Sequence, residues 1–429
     1  MELTIERAVA GGRMLARHEG RIVFVRGAIP GERVRTRVEK STRQAIWADT
    51  IEVLEPSGDR REPICDPACG GLAYAHIEYP RQCELKRDVV ADAFRRLARV
   101  DVPADFAVLG SPERGYRLRA RLHVSDGRAG FFRESSHRWC DAAATGQLAA
   151  GAIAAADGAV AALGRRAPAV EAVTVIENIS GAERVVHFEP REGMRLDDVG
   201  RTLALPDGVT GITADARGHV VTIAGSPTVT DTADQLFGGA SPIGALPAWT
   251  RHATSFFQGN RFLTGPLVRH VLDVVGHDAV ADLYAGVGLF AIALAARGAR
   301  VVAIEGDRSS GGDLDANAGP WRERLRAVHA AVEDAAQFIH AGDVGAVVVD
   351  PPRTGLSPKA LTAVVGLGAG QIVYVSCDPP TLARDAAKLM AAGFELTSMR
   401  GFDLFPNTAH VESVAVFSWG QTGVRPLGV

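Results

Sequence analysis

Residues 279–290 read AVADLYAGVGLF. A short apolar run ends at Tyr284, glycines follow at 286 and 288, and a helical pattern, FAIALAARG, begins at Phe290. Continuous apolar runs of this length, each closed by Gly, Pro or a polar residue, mark strands buried on both faces of a parallel sheet. Three more lie further on: ARVVAIEGD (299–307), GAVVVDPP (345–352) and QIVYVSCDPP (371–380). Helical stretches separate them, so the chain from about residue 251 predicts a doubly wound α/β domain. Ligands bind outside the carboxyl ends of strands in such sheets. Asp282, Glu305, Asp350 and Cys377 punctuate the sequence at or near those ends.

Gly286 and Gly288 allow a tight turn and a close backbone approach to a ligand. Glu305 closes the next predicted strand, where a carboxylate can accept the hydroxyl hydrogens of a ribose. The fuller GxGxxG spacing is missing, with Ala at 291, and no phosphate-binding feature accompanies it. A nucleoside cofactor therefore fits as well as a dinucleotide. Asp350-Pro351-Pro352 forms a rigid loop after a later strand, of a kind similar to that of methyltransferases using S-adenosylmethionine. Arg353 follows the prolines, in the place of the aromatic residue expected of an enzyme that methylates exocyclic amines. That points to a different acceptor atom.

The remainder of the chain has another texture. Residues 1–55 alternate in strand fashion around Pro/Gly turns, which predicts a small barrel. Arg33, Arg35 and Arg37 share one face there, either as a phosphate-contacting row or as an ordinary solvated face. Residues 56–250 are mixed. YPRQCELKRDVVADAFRRLARV (79–100) has helical spacing, GYRLRARLHV (115–124) puts Arg117, Arg119 and Arg121 on one side of a strand, and AVTVIENISGAERVVHFEP (172–190) reads as two strands about a Ser-Gly turn. Residues 1–140 hold 25 Lys and Arg against 20 Asp and Glu, a net of +5 in a chain whose overall charge is −3, so the rest is acidic. A basic front and an acidic back suggest that an anionic partner binds at the front. No membrane-length apolar run or signal pattern is visible, so a cytoplasmic protein is expected. Five cysteines are too few to predict a disulfide framework.

Five motifs occur in order: SFFQGN (255–260), DLYAGVGLF (282–290), DPPRTGL (350–356), YVSCDPPTL (374–382) and FDLFPNTAHVE (402–412). Together they closely resemble the S-adenosylmethionine-dependent RNA (uracil-5-)-methyltransferase family. The resemblance implies a Rossmann-like methyltransferase domain at 251–429, a TRAM domain (an OB-like RNA-binding barrel) at 1–55 and a mixed α+β central domain at 56–250. It implies Cys377 as nucleophile and Glu412 as proton acceptor, with Gln258, Tyr284, Gly286, Glu305 and Asp350 on the cofactor. A further cofactor contact falls on Glu333 or Asp334, and Leu289 stands where the family often has Asn. The TRAM arrangement is similar to that of members acting on 23S ribosomal RNA, with tRNA, or an RNA-binding chaperone role, as alternatives. A monomer with RNA as its partner is implied. Cys377 precedes a predicted helix, whose dipole is expected to favour the thiolate, although Asp378 opposes it.

The cysteines depart from the family pattern. TRAM-bearing relatives carry a [4Fe-4S] cluster on a C-x5-C-G-G-C run and a distant fourth cysteine. Here CDPACGGL (65–72) keeps Cys65 and Cys69 with shortened spacing, has Leu72 at the third position, and leaves Cys140 to match the distant ligand. Cys83 lies off the pattern. Four thiolates normally hold such a cluster. The cluster is doubtful on this count, no other metal is expected, and the loop is expected to be held by ordinary packing.

Overall fold

The computed structural model describes residues 1–134, 136–194, 203–216, 218–239, 241–244 and 247–420. Its C-terminal part alternates helices and strands: α1 (Thr264–Val274), β1 (Ala279–Leu283), α2 (Leu289–Ala296), β2 (Arg300–Glu305), α3 (Arg308–Ala318), β3 (Leu325–His329), β4 (Ala346–Val349), α4 (Pro358–Gly366), β5 (Gln371–Ser376), α5 (Pro379–Ala391), β6 (Phe394–Phe402) and β7 (Glu412–Trp419). The sheet order is β3-β2-β1-β4-β5-β7-β6, with the short strand Val108–Leu109 added beside β6. The strands run parallel except β7, which is antiparallel to both its neighbours. Val280, Ala281, Val347, Val348, Val373 and Val375 are wholly buried, as strands covered on both faces require. The order reverses between β1 and β4, and the crevice opens there.

Register fixes the level of that crevice. Leu283 pairs with both Ile304 and Val349, and Val349 pairs with Tyr374. Tyr284, Glu305 and Asp350 therefore leave the sheet at one height, and Cys377 follows shortly after on β5. The helix Tyr79–Ala93, from the second stretch of the sequence, packs on this same sheet: Val90, Ala93 and Phe94 share a core with Leu382, Leu389 and Phe417.

Six strands between Glu2 and Glu55 form a second sheet. The segment Glu2–Thr4 pairs with Arg33–Ser41, while Arg7–Ala8 pairs with Met14–His18, so one stretch of chain occupies both edges and curls the sheet onto itself. Arg33, Arg35 and Arg37 do share its outer side, but they do not form a bare cationic row. Arg33 pairs with Glu2 and Glu55, Arg35 with Glu2 and Glu52, and Arg37 lies 3.9 Å from Asp49. Exposed pairs like these add little stability, yet they neutralise much of the stripe.

The middle of the chain builds a seven-stranded sheet from Arg119 to Gly225, packed by the helix Ala150–Ala162. The predicted pair of strands is Val170–Glu177 and Arg184–Pro190. One disulfide joins Cys69 to Cys140, with Cα atoms 6.1 Å apart, and Cys65 is a free thiol. This corrects the expectation of a loop held by packing alone. The pairing of Cys140 opposite Phe131 and the bridge between Cys69 and Arg133 bring the two sulfurs together across 71 residues. Leu72, 1% exposed, fills the core of the central sheet. With two thiols bonded to each other and a leucine at the third position, the residues present do not fit a [4Fe-4S] cluster. No group of three His, Cys, Asp or Glu suited to a metal occurs among the described residues, and none of their helices is long and apolar enough to cross a membrane.

β7 lies between β5 and β6, and Phe417 on it is fully buried. Phe417→Ala is expected to lower stability by about 3–5 kcal/mol, read as a fall in the urea midpoint.

Candidate active site

A cleft of about 910 Å³ opens at the carboxyl ends of β1, β2, β4 and β5 and is walled on its far side by the strand Arg119–Ser125. All seven residues singled out in the sequence line it: Gln258, Tyr284, Gly286, Glu305, Asp350, Cys377 and Glu412.

One end is shaped by the loop after β1. Tyr284 takes φ +62°, a left-handed conformation that is strained for a residue with a side chain. Gly286 has φ +57°, and a Cβ there would meet no atom within 4 Å, so its bare backbone borders open space. Gly288 instead packs closely: a Cβ would come within 2.9 Å of Leu314 and 3.0 Å of Ile292. Glu305 accepts the Gly286 N–H on Oε2 at 2.7 Å and the Asp307 N–H on Oε1 at 2.6 Å. Each oxygen keeps a lone pair for a further donor. The Gln258 amide donates to Asp350 Oδ2 at 3.1 Å. Burial pushes the Asp350 carboxyl up to about 7, with the Gln258 hydrogen bond pulling the other way. Asp282 is wholly buried, and burial, reinforced by Asp350, holds it well above the carboxylate range. Of the two candidates after β3, Glu333 borders the cleft, where it accepts from Ser357 Oγ at 2.7 Å. Leu289 is buried on the cleft wall.

The other end holds the thiol. Cys377 sits between β5 and α5, and Asp378 caps α5 by accepting the Thr381 N–H at 2.9 Å. The expected helix-dipole activation of Cys377 does not prevail. Burial pushes the thiol up to about 11, the Glu412 carboxyl adds to this, and the Arg353 guanidinium opposes it. The loss of water, reinforced by the Glu412 and Asp350 carboxyls, raises the thiol. Glu412, the first residue of β7, is raised well above its usual range by burial and then by Asp350, again against Arg353. His410 is pushed down to about 4 by burial beside Arg353, Lys86 and Arg117, so its imidazole is neutral at physiological pH.

Sequence reasoning missed several lining residues. Arg117, Arg119 and Arg121 were placed on one face of a strand, but nothing local to that strand shows that this face borders the cleft. Arg119 donates to the Ser255 carbonyl at 2.7 Å, and Arg117 to Gln147 Oε1 at 2.8 Å. The Arg117 guanidinium lies 5.7 Å from the Phe131 ring and 5.9 Å from that of Phe405. Phe256, 60% exposed, stands on the cleft lining within SFFQGN.

A switch-point crevice with a strand-end carboxylate, joined to a thiol and a carboxyl in the same cavity, has the layout of an enzyme that brings a cofactor and a second substrate together. Comparison with known proteins narrows this. Residues 336–418 match the family described as tRNA (Uracil-5-)-methyltransferase. The chain is 34% identical over 454 residues to an uncharacterized RNA methyltransferase of Streptomyces avermitilis, covering 99% of each. It is 32% identical over 433 residues to the 23S rRNA (uracil(1939)-C(5))-methyltransferase RlmD of Pseudomonas entomophila, covering 97% of this chain and 93% of the relative. The crystal structure of Pyrococcus abyssi tRNA (uracil-54, C5)-methyltransferase with S-adenosyl-L-homocysteine has the same fold, with a TM-score of 0.73 at 23% identity over 97% of this chain and all of that one. The chain belongs to the S-adenosylmethionine-dependent RNA (uracil-5-)-methyltransferase family.

Asp350 supplies a pH prediction. Its folded value near 7 lies above that of a free carboxyl, so between about pH 4 and 7 the unfolded chain releases this proton before the folded one does. Stability of the free wild-type protein relative to Asp350→Asn should fall as pH rises through that window and level off above it, as measured by denaturation at a series of pH values.

Proposed function

We propose that this protein methylates carbon 5 of a uridine in 23S ribosomal RNA through a transient covalent bond between the Cys377 sulfur and carbon 6 of the base. The observation that carries the reading is the meeting of Cys377 and Glu412 with the β1–β4 crevice in one continuous cavity. The crevice suits S-adenosylmethionine: open space beside Gly286, unspent lone pairs on Glu305 for ribose hydroxyls, and Gln258, Tyr284 and Asp350 along the remaining wall. When bound, that cofactor supplies an electrophilic methyl group on a sulfonium.

Carbon 5 of uracil is a weak nucleophile. The Cys377 thiol first gives up its proton to water, a loss favoured by the Arg353 guanidinium; addition of the resulting thiolate to carbon 6 moves the ring's double-bond electrons toward carbon 5 and O4, which makes carbon 5 able to accept a methyl group. Charge growing on the O4 side is met by a donor, and Arg353, which lines the cleft with Cys377 and lowers its thiol pKa, is placed for this. Once methylated, carbon 5 still carries its hydrogen. Glu412, acting as the carboxylate that the Arg353 guanidinium favours, takes that hydrogen as a proton, the C–H electrons restore the double bond, and the sulfur leaves carbon 6 with its own electron pair. In the free cleft burial holds both the thiol and the Glu412 carboxyl toward their neutral forms, and the positive charge of Arg353 favours ionisation of each.

The target base must leave its stack to reach the sulfur. Arg117, Arg119 and Arg121 on the opposite wall supply cationic contacts for the nucleotide chain around it. The curled sheet of residues 1–55 takes the part of a TRAM domain, residues 56–250 that of the central domain and 251–429 that of the methyltransferase domain, with residues 79–109 contributing to the packing of the last. The ribosomal substrate is favoured by the match to RlmD along 97% of the chain. The archaeal tRNA enzyme also spans 97% of it, so the N-terminal sheet alone does not separate the two substrates. One copy carries every residue of the cleft, which supports a monomer, and the cytoplasm is the proposed compartment.

RNA containing 5-fluorouridine, which carries no removable proton at carbon 5, should trap a covalent enzyme–RNA complex in the presence of cofactor. Cys377→Ala should abolish the complex and reduce turnover by more than about 10³-fold. Glu412→Gln should slow turnover by about 10²–10⁴-fold and accumulate the complex on ordinary uridine. Wild-type turnover by Cys377→Ser would refute the covalent mechanism. Incubation of unmodified 23S RNA and tRNA with labelled cofactor, followed by nucleoside mass spectrometry, identifies the substrate.

A further inference from the structure

The loop 403–411 joins β6 to β7, places Phe405 and His410 on the cleft wall and delivers the chain to Glu412. It has no regular structure of its own, yet it is clamped from outside the cleft. The Lys86 ammonium lies 2.5 Å from Asp403 Oδ1 and donates to the Phe405 carbonyl at 3.2 Å. Both charged side chains are 0% exposed. One helical turn away on the same face of the helix Tyr79–Ala93, Gln82 donates from Nε2 to Asn407 Oδ1 at 3.0 Å and accepts the Asn407 N–H on Oε1 at 2.9 Å. Asn407 has φ +65°, so a two-point amide clamp sits where the loop makes its left-handed turn. The Gln82 amide also reaches the carbonyls of Tyr74 and Ile77.

The clamp ends where the cleft wall begins. Phe405 lies edge-on to His410 with ring centroids 6.2 Å apart, and its ring is 3.2 Å from where a Cβ on Gly259 would stand. A pair of charges this deep does little for stability compared with apolar residues of the same size. Its distinguishing contribution is geometric: it allows the loop one position.

We propose that Lys86 and Gln82 are positioning residues for the methyl-transfer reaction: from a helix outside the cleft they hold loop 403–411 so that Glu412 can reach the proton on carbon 5. This rests on the reading of Glu412 as proton acceptor. Cys377 lies between β5 and α5, and neither Lys86 nor Gln82 hydrogen-bonds to it or to either element. Loosening the loop should therefore spare addition of sulfur to the base and slow the later proton removal.

Two variants test this, Gln82→Met, which buries no charge, and the double change Lys86→Met with Asp403→Asn, which removes both charges together. Each is expected to lower kcat at least tenfold, leave KM for S-adenosylmethionine within about twofold of wild type, and accumulate covalent enzyme–RNA complex on ordinary uridine, seen on denaturing gels. A purely structural role would lower the melting temperature without building up that complex. Should Gln82→Met fold with wild-type kcat and no trapped complex, the proposal fails, whether or not the double variant folds. The outcome is separable from the mechanism itself: absence of a 5-fluorouridine adduct in the wild type would sink the covalent reading, whereas an adduct in the wild type with unimpaired variants would sink only the clamp.

Discussion

The site depends on the register of four parallel strands. Because Leu283 is level with Ile304 and Val349, and Val349 with Tyr374, the first polar residue beyond each apolar run emerges at the same edge. A shift of one residue in β4 would turn Asp350 to the other face of the sheet, since side chains alternate with a period of two. The run Ala346–Val349 is buried throughout, so a slip would carry a polar or glycine end into the core. The core thus aims the chemistry, and the reversal of strand order between β1 and β4 supplies the gap into which it is aimed.

Water exclusion governs the electrostatics inside that gap. Asp282, Asp350 and Glu412 are all pushed toward their neutral forms, and so is the Cys377 thiol. Loss of water is the leading cause in each case, and the neighbouring acidic groups add to it for Asp282, Cys377 and Glu412. Arg353 acts against this on both Cys377 and Glu412.

The central sheet and the helix Tyr79–Ala93 are tied to this centre by specific side-chain contacts. Arg119 reaches the backbone of SFFQGN, the Lys86–Asp403 pair links the helix Tyr79–Ala93 to the loop before Glu412, and Gln147 joins Arg117 in the cleft to the carbonyl of Gly70 beside Cys69. With Leu72 in the core and Cys69 bonded to Cys140, the cysteine loop fastens a segment that touches the active-site wall from behind.

Much of the α/β core was legible in the sequence because buried parallel strands leave a local signature, apolar runs with polar ends; the five motifs carried six of the seven cleft residues, and Glu305 was legible from its strand end. Local pattern also placed Arg117, Arg119 and Arg121 on one face of their strand. It could not show that this face borders the cleft, that Arg33 and Arg35 spend their charge on neighbouring carboxylates, or that Glu333 rather than Asp334 borders the cofactor crevice. The direction in which Cys377 titrates was also beyond it, because burial and the approach of Glu412 arise from β7 lying beside β5. Sequence alone determined which residues stand at strand ends, since hydrophobic period is a property of neighbours along the chain. Which charges meet, and which groups lose their water, was decided only by the tertiary structure, because electrostatic energy depends on distance through space and on solvent access, and neither is encoded in local order.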